Sequence, residues 1–463
     1  MCPQEVMPVR PTAALTALLT TVLAAGALTA CDAGSGEGPD TLRVSYKQST
    51  DNSVKVMDTY LAGIKKQFER EHPGKKVEFV PIKAPDSEYY TKLQQMLRSP
   101  RTAPDLVYED TFLINSDITS GYLKPLDPYL AKWPDWGRFI GTAKAAARGQ
   151  DGKTYGVPDG TDTRGLWFDK RVFRKAGLPA DWQPRTWDDI LAAARTIKRK
   201  VPGVTPLNLY TGKPAGEEAT MQGFEELLYG TNDGRSDPLY DAASKKWIAA
   251  GQGFKDALAF VHSVFQEKLG PDVSDALDPN YSTTVRGELL PEGRLGIDLD
   301  GSWLPQDWLP GSGHEWKDWS KETGLASMPT QHGQAPGKVS MSGGWTWSIP
   351  ARAAHPDLAF DFIRTLQTKD NARKWYIANS GIAVRADVAS DPAYVSAQPG
   401  IKFFTDLVAT THYRPAFPAY PKVSTAIQEA MEGVTTGDRT VAQAAGDYDA
   451  ALKDATGGQV VGG

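Results

Sequence analysis

Residues 41–110 read TLRVSYKQSTDNSVKVMDTYLAGIKKQFEREHPGKKVEFVPIKAPDSEYYTKLQQMLRSPRTAPDLVYED, and the change of hydrophobic period along them decides the fold. Leu42, Val44 and Tyr46 alternate as on a strand. Val56, Met57, Tyr60, Leu61, Ile64 and Phe68 then recur with helical spacing until His72, Pro73 and Gly74 stop the run. Residues 77–82 read as a second short strand, 87–98 as a second helix with Tyr90, Leu93 and Leu97 on one face, and 106–108 as a third strand. Parallel neighbours need a crossover to bring the chain back, so this order predicts a mostly parallel sheet covered by helices, the α/β class. Two later helices continue the pattern. One spans 186–198 and opens on a capping-box-like Thr186-Trp187-Asp188-Asp189; the other spans 254–269 with Phe254, Leu258, Val261 and Phe265 inward.

The rest of the chain bounds what this body can do. Its 463 residues, 40% apolar and 23% charged, allow two or three compact units and exclude a disordered chain. Lys and Arg total 51 against 56 Asp and Glu, with no basic block to track phosphates, so nucleic acid is not an expected partner. The two cysteines, Cys2 and Cys31, both precede the body, which leaves it no thiol for a disulfide, a zinc site or thiol catalysis. No metal or other cofactor is expected.

Residues 12–30 are uncharged and rich in Ala and Leu, like the apolar core of an export signal, and end in Leu28-Thr29-Ala30-Cys31. That ending resembles the bacterial lipobox, which implies a signal peptide over 1–30, lipidation of Cys31, and a Gly-, Ser- and acid-rich tether over 31–40. The body would then be held at the outer face of the cell membrane.

Six of the 13 tryptophans (Trp303, Trp308, Trp316, Trp319, Trp345 and Trp347) fall within residues 303–347, several beside Gly, Ser or Pro. Indole faces suit the apolar C–H faces of a pyranose. Burying about 50 Å² of such a face contributes roughly 1 kcal/mol per ring at about 25 cal/mol per Å², while acids and amides bond the hydroxyl rim.

The motifs now carry a family resemblance. Ala103-Pro104-Asp105-Leu106-Val107-Tyr108 and Ser120-Gly121-Tyr122-Leu123-Lys124-Pro125-Leu126 resemble a paired segment of bacterial extracellular solute-binding proteins of the sugar-binding class. Tyr155-Gly156-Val157-Pro158, Gly165-Leu166-Trp167-Phe168-Asp169-Lys170, Phe173 to Pro179 and Arg185-Thr186-Trp187-Asp188-Asp189 follow in that family's order, as do Ser342-Gly343-Gly344-Trp345, residues 359–366 and Ser380-Gly381-Ile382. Trp167-Phe168-Asp169 stands where Tyr-Tyr-Asn is usual and Ala383 where Pro often follows. Both departures bear on the ligand rather than the fold.

The resemblance implies a two-lobed periplasmic-binding-protein-like fold of type II, maltose-binding-protein-like, with the ligand cleft between lobes joined by a multi-strand hinge. It places crossings near 158–163, near 328–330 and after Thr368. One lobe would be 40–158 plus 330–370, the other 163–328 plus 371–463. It implies no enzyme but the substrate-binding lipoprotein of an ABC importer, a monomer that takes up a carbohydrate, most readily an oligosaccharide, and delivers it to the permease subunits. Candidate ligand contacts are Trp303 and Trp345 with Gly343 and Gly344; Glu109 and Asp110 at the end of a strand; Asp159, Asp162 and Arg164 by the first crossing; Gln48 and Asp51 after the first strand; and Tyr413 before the last helices. A secreted glycoside hydrolase, with Glu109 or with Asp298 and Asp300 as acid and base, and a carbohydrate-binding surface protein without a transport role are the alternatives.

Overall fold

The computed structural model describes residues 40–231 and 237–463, the side chains of Asp86 and Ser87 excepted. The signal and Cys31 lie outside the described residues. In chain order, the elements that place the site in the first part are β1 (Thr41–Ser45), α1 (Val56–Glu71), β2 (Lys76–Phe79), α2 (Asp86–Leu97), β3 (Leu106–Asp110), β4 (Gly156–Thr161), β5 (Arg164–Asp169), α3 (Trp187–Lys200) and β6 (Thr205–Asn208). They continue with α4 (Gln252–Gln266), β7 (Leu295–Gly301), β8 (Thr323–Ala326), β9 (Lys338–Ser342), β10 (Gly344–Ser348), α5 (Pro356–Leu366), α6 (Lys369–Ala378), α7 (Ile401–Leu407), β11 (Thr411–Tyr413), α8 (Tyr420–Thr436) and α9 (Val441–Ala455).

The opening βαβαβ run forms as its periodicity predicts. β1 pairs in parallel with β2 on one side and β3 on the other, and the sheet is completed in the order β2-β1-β3-β10-β4. β10 returns from much later in the chain and runs antiparallel to both β3 and β4, so the sheet is mixed. Leu61, Ile64 and Phe68 of α1 are buried against it, and Phe68 meets Phe362 of α5 edge-on at 5.2 Å. A second sheet, β8-β5-β7-β6, is antiparallel except where β6 joins β7. Around it pack α3, whose capping box closes through both Thr186 and Asp189, and α4, which buries Phe254, Leu258, Val261 and Phe265 and stacks Phe254 on Tyr448 of α9 at 4.2 Å. Among the described residues, no helix is long and apolar enough to cross a membrane.

The chain passes between the two sheets where strands of one end and strands of the other begin. β4 hands over to β5 at Asp162 and Thr163, and β9 hands over to β10 at Gly343. The two crossings are tied together: Gly343 N–H donates to Asp162 Oδ1 at 2.8 Å, Ser342 Oγ to the Asp162 carbonyl at 2.6 Å, and Thr161 Oγ1 to the Gly343 carbonyl at 2.9 Å.

Two boundaries expected from the sequence move. The second crossing is at Gly343 rather than near 328–330, because β9 pairs with residues 328–329 and β11, and Val339 sits in the core of the second sheet. The third lies beyond α6 rather than after Thr368. Trp375 of α6 stacks on Tyr60 of α1 at 4.8 Å, and Ile382 bridges back to Thr161. Only at α7 does the chain reach the second sheet again, where Phe404 packs on Trp167 at 5.4 Å and its carbonyl accepts from Thr163 at 2.7 Å. Residues 331–342 therefore belong with the second sheet and 371–394 with the first.

Candidate functional site

The ends of β1, β3, β7 and β10 and the two crossings converge on a cleft of about 310 Å³ lined by residues of both halves. On the first sheet, period-two alternation turns Tyr108 and Asp110 of β3 toward the cleft. Trp345 on the neighbouring β10 lies parallel over Tyr108, ring centroids 4.8 Å apart and planes 4° apart, with Tyr90 of α2 at 6.3 Å. These rings make an aromatic wall in which Trp345 stays half-buried. Gly344 has φ of +146°, and a Cβ there would sit 2.6 Å from the Gly160 carbonyl, so only glycine lets β10 start this close to β4.

The facing wall comes from the second half. Trp303 follows β7, folded back over Gly301, where a Cβ would fall 1.9 Å from the indole. The Arg164 guanidinium lies 4.8 Å from the Trp303 ring centroid, so one indole face is already covered by a cation. Arg164 is fixed in turn by Asp162, by Gln222 Oε1 at 3.0 Å and by the Met341 carbonyl at 3.1 Å. Gln222 and Arg286, both lining the cleft, are delivered by short π-helical stretches at Ala219–Glu225 and Val285–Leu289. Such irregular turns are frequent at functional sites. Gly223 makes the first possible, since a Cβ there would lie 1.9 Å from the Tyr210 carbonyl.

Arginine–carboxylate clusters close the floor and sides. Arg414 reaches Asp110 at 2.9 Å, Thr111 at 2.7 Å and Glu217 at 3.2 Å, joining the first sheet to the second half. Burial raises the Glu217 carboxyl, opposed by Arg414 and by the hydroxyls of Ser424 and Tyr420. Arg286 pairs with Asp307 at 3.2 Å and Glu218 at 3.7 Å. Asp159 of β4 also lines the cleft and is wholly buried. Burial pushes it up to about 8, against the donors Trp347, Tyr108, Gln367 and Trp375 around it.

Of the residues expected to meet ligand, Trp303, Trp345, Gly343, Gly344, Asp110, Asp159, Asp162, Arg164 and Gln48 line the cleft, with Gln48 donating to Asp58 at 2.8 Å. Three do not. Glu109 alternates to the far face of β3, where it is fully buried near Asp117; burial and that second carboxyl hold its pKa well above the usual range. Tyr413 lies behind the Gly343–Gly344 link with Pro158 and Thr161, and its neighbour Arg414 reaches the cleft instead. Asp51 stands at the rim rather than in the lining. Asp298 and Asp300, considered as an acid and base pair, are fully buried within β7 and do not line the cleft. Sequence reasoning passed over Tyr90, Tyr108, Glu217, Gln222, Arg286 and Asp307. The alternation at Tyr108 was the one readable signal among them.

At the rim, Asp51 Oδ2 meets His314 Nε2 at 2.6 Å, and Thr50 Oγ1 donates to Asn280 Oδ1 at 3.2 Å, so loops of the two halves touch across the mouth. Partly exposed rim pairs of this kind contribute up to about 1 kcal/mol, or roughly fivefold in an equilibrium. His314→Ala is accordingly expected to shift the protein toward open forms by up to about fivefold, seen in X-ray scattering as a larger radius of gyration. An unchanged curve would mean that the rim contact does not hold the halves together.

The family described as bacterial extracellular solute-binding protein matches residues 50–373. A binding protein of Brucella abortus (strain 2308) is 24% identical over 402 residues, covering 86% of this chain and 88% of that protein. The arabinooligosaccharide-binding protein of Bacillus subtilis (strain 168) is 27% identical over 179 residues, 37% of each chain. Among solved structures, the GacH receptor of Streptomyces glaucescens GLA.O, solved unliganded and in complex with acarbose and an acarbose homolog, is 22% identical. It superposes with a TM-score of 0.75 over 90% of this chain and 98% of that one, a likeness that shows the type II periplasmic binding-protein fold.

Proposed function

The chain belongs to the bacterial extracellular solute-binding proteins, and from that premise we propose that it captures a carbohydrate, most readily an oligosaccharide, between its two halves and passes it unaltered to the permease of an ABC importer. The observation that carries this reading is the pairing of half-buried indoles from opposite halves, Trp345 and Trp303, in one cleft whose remaining surface is rich in hydrogen-bonding groups. An apolar platform with a polar rim matches a sugar ring and little else of that size. A ligand held by both halves favours the closed form because only that form makes every contact. Micromolar capture needs about 8 kcal/mol, within reach of a few stacked faces and several buried hydrogen bonds after the cost of association. The saccharide ligands of relatives with the same fold support the class, and Leu28-Thr29-Ala30-Cys31 supports a lipid anchor at the outer face of the cell membrane. The protein acts as a monomer in this scheme.

A thermal-shift panel of mono- to tetrasaccharides, with chromatography of the recovered sugar, tests the proposal. Stabilisation by a soluble oligosaccharide that returns intact is the expected result. Cleaved sugar would point to a hydrolase, and binding only to insoluble polymer would point to a surface protein without a transport role.

A further inference from the structure

The charges facing the cleft are unequal in number and closed in arrangement. Seven carboxylates line it against four cationic side chains. Each of the three guanidiniums is already held by cleft carboxylates: Arg414 by Asp110 and Glu217, Arg164 by Asp162, and Arg286 by Asp307 and Glu218. The remaining cation, Lys47, lies within the field of Asp307. Apart from Asp159, six carboxyls face four cations, and the arginines oppose the rise that burial imposes on Glu217 and Asp307. Recognition of a carboxylate or phosphate draws on a guanidinium whose fork is free to take it. Here every guanidinium already faces one or two cleft carboxylates, and an anionic group entering would be desolvated beside acids that it repels.

We propose that the cleft selects saccharides by charge, admitting neutral or amine-bearing rings and excluding uronic acids and sugar phosphates, with the Arg414–Asp110–Glu217 cluster as the main determinant. The inference deepens, and rests on, the carbohydrate reading. Arg414 sets the selectivity because it bridges the halves from the cleft lining while only 6% of its side chain is exposed, so its charge is spent on internal partners instead of on ligand.

The test is calorimetric titration of the full chain with maltotriose, cellotriose and xylotriose, beside trigalacturonate and the C6-carboxylate forms of maltotriose and cellotriose. The best neutral trisaccharide is expected to bind about a hundredfold more tightly than any acidic one, as a like-charge clash partly relieved by solvent would give. Glu217→Gln removes one carboxylate from Arg414 and is expected to narrow that ratio about tenfold. Asp110→Asn does the same from the other side, and serves if the buried Glu217 variant fails to fold. Acidic saccharides binding within threefold of neutral ones would overturn the proposal, as would a ratio unmoved in both variants. If no saccharide of either kind binds, the carbohydrate reading itself falls and this inference falls with it. Neutral binding with acidic exclusion, narrowed in either variant, upholds both.

Discussion

Trp345→Ala is expected to weaken saccharide binding about a hundredfold while leaving the unliganded protein folded. The magnitude follows from what the ring does in the cleft. Its lost contact face contributes roughly 1 kcal/mol by area, and the stack on Tyr108, with centroids 4.8 Å apart, holds the indole ready so that little ordering is left for the ligand to drive. Truncating a central, well-packed Trp at a binding surface typically costs about 2 kcal/mol or more. Trp345 is only half-buried, so the fold loses about 1–2 kcal/mol, against core tryptophans such as Trp347 and Trp308, whose loss would cost several. Trp303→Ala is expected to act in the same direction with a second consequence. Arg164 loses the ring beneath it, and a gain of mobility there would loosen Asp162 and the Gly343 crossing that it holds. Trp345→Phe should recover most of the affinity, because a flat apolar face is restored. Titration calorimetry with thermal melts separates the cases: full affinity in Trp345→Ala would remove the aromatic wall from the site, and an unfolded Trp345→Ala would make the ring a core residue.

The tryptophan cluster also shows how far a sequence carries such a site. Six indoles within residues 303–347 read as a cleft signature, yet Trp308, Trp316, Trp319 and Trp347 pack in the core, with Trp167 meeting Trp308 edge-on at 5.7 Å. Adjacent glycines separated the two kinds better than density did: Gly301 and Gly344 mark the places where backbone and ring approach too closely for a side chain. The opening βαβαβ run was legible because period two and period 3.6 are local properties. The antiparallel insertion of β10 was not, since pairing across more than two hundred residues leaves no local trace. The strand-end position of Glu109 points to the ligand, but alternation with Tyr108 and Asp110 sends it to the opposite face. Gln222 and Arg286 lay beyond reach because π-helical stretches shift the side-chain phase without a distinguishing residue pattern, and Glu217 stands just before the first of them. The third crossing is hidden in the sequence for a similar reason. α6 carries the amphipathic pattern of any surface helix, and only the stack of Trp375 on Tyr60 shows which half it covers.

Stability is expected to fall as pH rises from about 5 to 8, by on the order of 10 °C in Tm. Asp159, Glu225 and Glu226 are wholly buried, and burial is the leading cause that pushes each up to about 8. The sign follows from proton binding. In the unfolded chain these carboxyls ionise near pH 4, so between there and pH 8 the folded state holds protons that the unfolded state has released. Raising the pH through that window favours unfolding, by about 1.4 kcal/mol per unit for each proton retained, less what other groups offset. Asp51, lowered to about 2, acts in the opposite direction only below about pH 4 and leaves the window untouched. Glu226→Gln isolates one contribution: its Oε1 accepts from Met341 N–H at 2.9 Å, a bond that the amide oxygen preserves, while the second position no longer ionises. Its melting curve should therefore decline more gently with pH than the parent's, and a parent curve that is flat or rising from pH 5 to 8 would refute the assignment. The positions of these acids couple the effect to the cleft. Glu226 supports the strand that leads into the Gly343 crossing, and Asp159 lies on the strand that leads into the Asp162 crossing. Ionising them buries charge beside both links, so ligand affinity should drop above about pH 8 at temperatures well below the melt, with the loss diminished in Glu226→Gln.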